Sequence, residues 1–569
     1  MTSRFSGKGG FSRRNFVKAA AAAGTALTAG GSMLGGALAH EDDRDRDDFS
    51  CNGSADIALV NGRILTMDAK NRVVSAVAIR NGRFAEIGHP RDLGRCAQVI
   101  NLHGATVIPG LIDSHCHFIR DGLNPGHEVR SIELAASIPE LLGMISDRAR
   151  TVPPGQFISC VSGWNINGLA ERRLPTVAEL DSAAPRNPIY ISEFGGTNKP
   201  VTNSSGKAWF TAKGVVVNAD GTLANAGLAF AALRAAEIAR DPALPDRLTT
   251  TRENIAFASS LGLTMVHDVG GNGFPQANAA QTSLFVDLDP YDQALSLWRA
   301  GELNMRIRSF LYSEFDTSAT LDVARSRMIN NLIRLGDDVF RLNGVGERVQ
   351  VSTTAPGFVD HCKFAAQNGW TVHQHSVTAQ EIAFHVDAYQ QGSAAAAPAG
   401  IGALRWSLTH VNVITDDQIR ALRDIKVGCT VQGTAYTGNA GGTPFRSILD
   451  IMGPAGIPVG GGSDATNVGP LNPWLMMYFM ATGKNNAGVA INAAQSCTRL
   501  EALRMYTTGS AYFSFDDDKL GSIERGKLAD VAVLSDDPLS ASDSAFRRIS
   551  SMLTLQGGRV VSGSLHHRG

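Results

Sequence analysis

From residue 109 to residue 515 the chain alternates short apolar runs of strand length with amphipathic stretches of helix length. Strands separated by helices must lie parallel, and a parallel sheet buries both faces under those helices or closes on itself as a barrel. The strand candidates are Leu111–His117, Phe157–Ser162, Ile189–Glu193, Leu263–Asp268, Met305–Tyr312, Val339–Leu342, Thr371–His375, Trp406–His410, Val427–Val431 and Ile457–Ser463. Amphipathic stretches such as Ile138–Arg150, Thr251–Leu261 and Asp416–Asp424 stand between them. The pattern predicts an α/β fold, a (β/α)8 barrel over residues 109–515. The candidates outnumber eight slots, so one or two belong to insertions. The Ser-, Asn- and Gly-containing segment from Thr197 to Ala226 is the expected loop-rich excursion.

The two ends of the chain read differently. Ala55–Thr66 and Val73–Arg80 are strand-like, and so are Leu528–Leu534, Ser551–Leu555 and Arg559–Val561, the last two joined by a Gly557-Gly558 turn. Neither end carries enough apolar surface to stand alone, so residues 55–108 and 516–569 are expected to pack together as a small β-sandwich. Ahead of them, Ser12 to Lys18 carries Arg13-Arg14, a weakly apolar Ala/Gly/Thr stretch follows, and Ala37-Leu38-Ala39 closes it. That order reads as a twin-arginine signal over residues 1–39, handing the chain to the twin-arginine export machinery for the periplasm or beyond. Residues 40–54 are then an acidic leader. The competing readings are a basic tail on a cytosolic protein or an uncleaved anchor, but Ala and Gly make a poor spanning helix.

Composition narrows the partner. A net charge of −1 with 18% charged residues offers no attraction for nucleic acid or an anionic membrane, so a small molecule is the expected partner. A homo-oligomer stays open. The seven cysteines form no CxxC pair and keep no regular spacing, which argues against a disulfide framework or a thiolate zinc site, and Cys160 and Cys429 read as packing residues.

Chemistry gathers at the ends of the apolar runs. His115 and His117 lie two apart on a strand, hence on one face and within reach of one ion. Alone such a pair is weak. Three further runs end in a potential ligand, His375, His410 and Asp464, and a barrel collects its chemistry at the C-terminal ends of its strands. Nitrogen and carboxylate donors suit one or two divalent ions, zinc being the expectation.

Longer stretches carry a resemblance. Ala55–Asp68, Val107–His117, Arg173–Pro185, Gly262–Thr264 with His267-Asp268, Gly369–Val372 leading to His375, Gly462-Ser463-Asp464, and Leu520–Ile523 with Gly526–Asp530 resemble amidohydrolase family 3, the branch with N-substituted formamide deformylases. The resemblance spans nearly the whole mature length and implies a metal-bearing barrel beside a β-sandwich. It implies His115, His117, His375, His410 and Asp464 as ligands, with Asp464 also shuttling the proton in hydrolysis of an amide, formamide or cyclic amide. His410 is grouped with Asp464 in catalysis.

The departures matter as much. A lysine common after the family's middle strands is absent from Phe340–Glu347, where Glu347 is either the substitute bridging carboxylate or a surface residue. The family's Asp-Gly-His substrate motif is replaced by Ser205–Trp209. Trp164, His267 and His373 are candidate substrate contacts; for Trp164 the alternative is core packing, and for His373 a supporting or core role behind His375. Ester or lactone hydrolysis at the same site, a deaminase, and a degenerate barrel acting as a periplasmic binding or structural protein are the competing functions.

Overall fold

The computed structural model describes residues 57–90, 98–240, 245–270, 291–311, 318–347, 357–439, 441–465 and 468–564. The twin-arginine segment and the acidic leader lie outside them. Eight strands follow one another in chain order around one sheet: β1 (Leu111–Cys116), β2 (Leu263–Asp268), β3 (Arg306–Leu311), β4 (Phe340–Glu347), β5 (Val372–Ser376), β6 (Ser407–His410), β7 (Gly428–Gln432) and β8 (Val459–Gly462). Each neighbouring pair is parallel. β8 returns beside β1, where the Asp464 N–H donates to His115 O and the His117 N–H to Ala465 O, both at 2.8 Å, so the sheet is nearly closed. Glycine permits this approach: a Cβ on Gly462 would sit 2.8 Å from His115 N and 2.9 Å from its carbonyl oxygen.

Helices take up the spaces between strands because the sequence starts them sharply. Thr378 and Glu381 form a capping box on Ala379–Ala395 directly after β5, and Thr415 with Gln418 does the same for Asp416–Asp424 after β6. Each box satisfies two orphan N–H groups at a helix start, and so fixes where the strand-end loops turn back. The apolar faces bury Ile382 and Tyr389 from one helix and Ile419 and Leu422 from the other against the barrel.

Two of the surplus strand candidates belong elsewhere. Between β1 and β2 the chain builds a separate parallel sheet of His127–Glu128, Ile158–Cys160 and Ile189–Ile191. It has its own core of Ile132, Leu141, Ile145, Ile158, Leu180 and Ile189. The excursion thus begins well before Thr197, and the Thr197–Ala226 segment itself holds a helix, Ser204–Ala212, capped by Asn203. The five described cysteines are free and buried, Cys160 and Cys429 among them.

The chain ends meet in one sheet. Ile57–Leu65 pairs antiparallel with Val73–Arg80, which pairs with Arg83–Gly88. Along its other side Ile57–Leu65 runs parallel to Gln98–Asn101 and Thr106–Pro109. Thr106–Pro109 then pairs antiparallel with Val531–Leu534, which leads to Ser551–Gln556 and Arg559–Gly563.

Buried charge fastens this sheet and the C-terminal segment to the N-terminal end of the barrel. Arg306 on β3 makes a two-pronged pair with Asp530, Nε to Oδ2 at 2.8 Å and Nη2 to Oδ1 at 2.9 Å. Asp516 receives both Arg308 Nε at 2.8 Å and Arg341 Nη2 at 2.9 Å. Burial opposes the Asp516 charge, but the two guanidinium groups outweigh it and hold its pKa below the usual carboxylate value. Removing one partner of such a group leaves buried charge uncompensated. Asp516→Ala is therefore expected to lose about 3–5 kcal/mol of stability. Asp517→Ala, which breaks only the more exposed pair with Arg405, should lose under about 1 kcal/mol. Denaturant unfolding of the two variants checks the contrast, and equal losses would refute it.

Candidate metal centre

The strand ends that face one another at the barrel's C-terminal mouth carry the ligand candidates. On β1, Asp113 Oδ1 accepts the N–H groups of His115 at 2.9 Å and Ser463 at 3.2 Å, stapling β1 to β8 directly beneath the centre. Burial raises the Asp113 pKa to about 7. At the end of β2, Asp268 accepts from Ile119 N at 2.7 Å and from the Tyr291 hydroxyl at 3.0 Å. It thereby pins the one-turn helix Phe118–Gly122 that starts immediately after His117. His117 Nδ1 lies 3.3 Å from Gly270 O, which leaves Nε2 aimed at the centre.

Glu347 is the hub. It ends β4, is 3% exposed, and sits among all four imidazoles. Its Oε1 is 3.0 Å from His117 Nε2; its Oε2 is 3.3 Å from His115 Nε2, 3.0 Å from His375 Nδ1 and 3.2 Å from His410 Nε2. The surface alternative for this residue is excluded. The strand expected over Val339–Leu342 runs from Phe340 to Glu347, through Gly344 and Gly346. Those glycines let β4 press against β5: a Cβ at Gly344 would meet Thr371 O at 2.6 Å, and one at Gly346 would meet His373 O at 2.2 Å. The strand runs on and delivers Glu347 to the mouth.

Asp464 completes the cluster, with Oδ1 3.4 Å from both His115 Nε2 and His117 Nε2, and Oδ2 3.8 Å from His410 Nδ1. Donor atoms of His115, His117, Glu347 and Asp464 lie within 4.8 Å of one another, as do those of Glu347, His375 and His410. His410 and Asp464 hold left-handed backbone, at φ 67° and 56°, a conformation that non-glycine residues rarely take and that clusters at functional sites.

The electrostatics fit a cation. Burial alone would push the His115 pKa down, but Glu347 and Asp464 outweigh it and raise it to about 10. For Glu347 burial opposes the charge, yet His375 and His115 hold its pKa well below the usual carboxylate range. Two buried carboxylates thus demand positive charge between them. His115 Nε2 is fully buried and has no well-directed hydrogen bond, as a group aimed at an ion would be. Four imidazoles and two carboxylates are a donor set that could hold a divalent metal.

The other predicted contacts fall outside this ring. His373 hydrogen-bonds His115 at Nδ1, the nitrogen opposite the Nε2 that meets Glu347. His267 is wholly buried beside Phe310, and burial with Arg308 nearby lowers its pKa to about 3, so it stays neutral. Trp164 packs in the core of the inserted sheet. Asp113 escapes the sequence reading, although a carboxylate inside an apolar run, as in Leu111-Ile112-Asp113, is a signal that could find it; Asp268, expected with His267 as a substrate contact, instead holds Ile119 N and the Tyr291 hydroxyl.

A family model described as amidohydrolase family matches residues 98–562. The chain belongs to the amidohydrolase family. Among curated relatives, N-substituted formamide deformylase of Arthrobacter pascens is 25% identical over 554 residues, covering 88% of this chain and 97% of the relative. Putative amidohydrolase YtcJ of Bacillus subtilis is 22% identical over 88% of this chain and 98% of its own length. Among solved structures, an uncharacterized metal-dependent hydrolase from Pyrococcus horikoshii matches with TM-score 0.55 at 18% identity, covering 86% of this chain and 99% of that one. A mutant of atrazine chlorohydrolase TrzN from Arthrobacter aurescens, complexed with zinc and atraton, matches with TM-score 0.52 at 18% identity, over 89% and 95%. These structures share the barrel fold with this amidohydrolase.

Asp268 offers a test of how the first ligand pair is held. Asp268→Ala takes the acceptor from the Ile119 N–H and removes the bond from the Tyr291 hydroxyl, and should cost about 1–3 kcal/mol of stability. A thermal melt reads the loss; an unchanged melting temperature would refute the pinning role.

Proposed function

We propose that this amidohydrolase cleaves the C–N bond of an amide, formamide or cyclic amide, with zinc as the metal of its centre. The observation that carries the reading is the convergence of His115, His117, His375, His410, Glu347 and Asp464 from five strand ends on one buried cluster. Glu347 belongs to both donor groups, which supports two ions sharing its carboxylate in place of the family's lysine. A divalent ion held there lowers the pKa of a water and polarises a carbonyl.

The protein's own residues supply the rest. Asp464 takes the proton released as water attacks and returns it to the departing nitrogen, which leaves readily only when protonated. His410 Nδ1 lies 3.8 Å from Asp464 Oδ2, close enough to influence that carboxylate's field but beyond hydrogen-bond range. The likeness to an N-substituted formamide deformylase over almost the full chain makes N-substituted formamides the first substrates to try. The Arg13-Arg14 segment supports export by the twin-arginine route, with the metal acquired before the folded protein leaves the cytoplasm.

Asp464→Asn should retain most of the bound metal and lose about 10²–10⁴-fold in kcat. Metal analysis and steady-state kinetics on the same preparation check both halves, and a variant that turns over normally would remove Asp464 from proton transfer. Matched amide and ester substrates test the bond: a strong preference for the ester would overturn the amidase assignment.

A further inference from the structure

We propose that His373 and Ser407 act as a positioning pair that fixes the tautomer of His115 and thereby sets the affinity of the centre for zinc. The inference rests on the metal centre proposed above. An imidazole ligates through a ring lone pair, so a ligating His115 Nε2 requires its proton on Nδ1. That N–H needs an acceptor in a place water does not reach, since His115 is wholly buried. His373 Nε2 lies 2.7 Å from His115 Nδ1. Thr409 Oγ1 is farther, at 3.2 Å, and already accepts from Gln432 Nε2 at 2.9 Å.

The acceptor role fixes His373 in turn. With its Nε2 lone pair engaged, its proton sits on Nδ1, which is 2.7 Å from Ser407 Oγ. The two imidazoles lie nearly parallel, 26° apart with centroids 5.0 Å from each other, so packing and hydrogen bonding select one ring orientation. Both His373 nitrogens are thereby used and the residue is 1% exposed, which removes it from substrate contact. The neighbouring ligand His117 has a simpler arrangement, because its Nδ1 meets the backbone oxygen of Gly270. For His115 the support is two side chains long, and the loss of either weakens it.

Zinc dissociation constants, measured on purified metal-free full chain by competition with a chromophoric chelator, test this directly. His373→Phe keeps the ring shape and deletes the acceptor, and should weaken zinc by about 10–100-fold. His373→Gln restores an acceptor oxygen and should recover most of that loss, which a purely structural role would not predict. Ser407→Ala should weaken zinc by a smaller factor, and it decides the matter should His373→Phe fail to fold. Zinc bound equally tightly by His373→Phe, or by Ser407→Ala in that event, overturns the inference while leaving the metal centre standing. A wild-type chain that binds no zinc overturns the metal centre itself.

Discussion

Two carboxylates buried among four imidazoles set the terms for the rest of this structure. Glu347 and Asp464 cannot both stay ionised in a dry barrel mouth without positive charge between them. Protonated imidazole meets part of that demand, as the raised His115 pKa records, and a divalent cation meets it more fully. The cluster is therefore a poor place for packing and a good one for an ion. Its cost falls on the surrounding scaffold, which must hold six polar groups together against their tendency to separate and hydrate.

That scaffold works at both ends of the barrel. At the mouth, Asp113 and Asp268 spend their oxygens on backbone N–H groups of the segments that carry ligands, so strand ends are fixed to one another and not merely packed. At the opposite end, Arg306 with Asp530 and Arg308 with Arg341 and Asp516 bind barrel strands to the C-terminal segment. Charge that is expensive to bury is tolerable there because each group finds a partner of fixed geometry. The left-handed backbone at Asp464 is tied by its N–H to His115 O at 2.8 Å, and that at His410 by the Thr443 hydroxyl donating to its carbonyl at 3.1 Å.

How much of this is legible in the sequence depends on how each residue is delivered. His115, His117, His375, His410 and Asp464 end apolar runs, and a run that stops in a ligating side chain can be read directly. Glu347 is visible only as one of two alternatives, ligand or surface residue, because what carries the strand on to it is that Gly344 and Gly346 admit a neighbouring backbone, which is a tertiary fact. Phe157–Ser162 and Ile189–Glu193 read correctly as strand segments, yet periodicity does not say which sheet a strand joins, so the inserted sheet is invisible until its own core is assembled. His373 shares the i, i+2 spacing of His115 and His117, and the spacing alone cannot separate a ligand from the support of another ligand.

The contrast between those two histidine pairs follows from position along the strand. His115 is the last residue but one of β1 and His117 lies one residue past the strand's end, and both reach Glu347 and Asp464. His373 is the second residue of β5 and His375 the fourth, so only His375 reaches the level of Glu347. His373 stays one layer lower, beside Ser407 at the start of β6. Barrel interiors are filled in such layers, each contributed by several strands. A polar side chain in the layer below the chemistry must spend its hydrogen bonds on the layer above or on its own neighbours, and His373 does both.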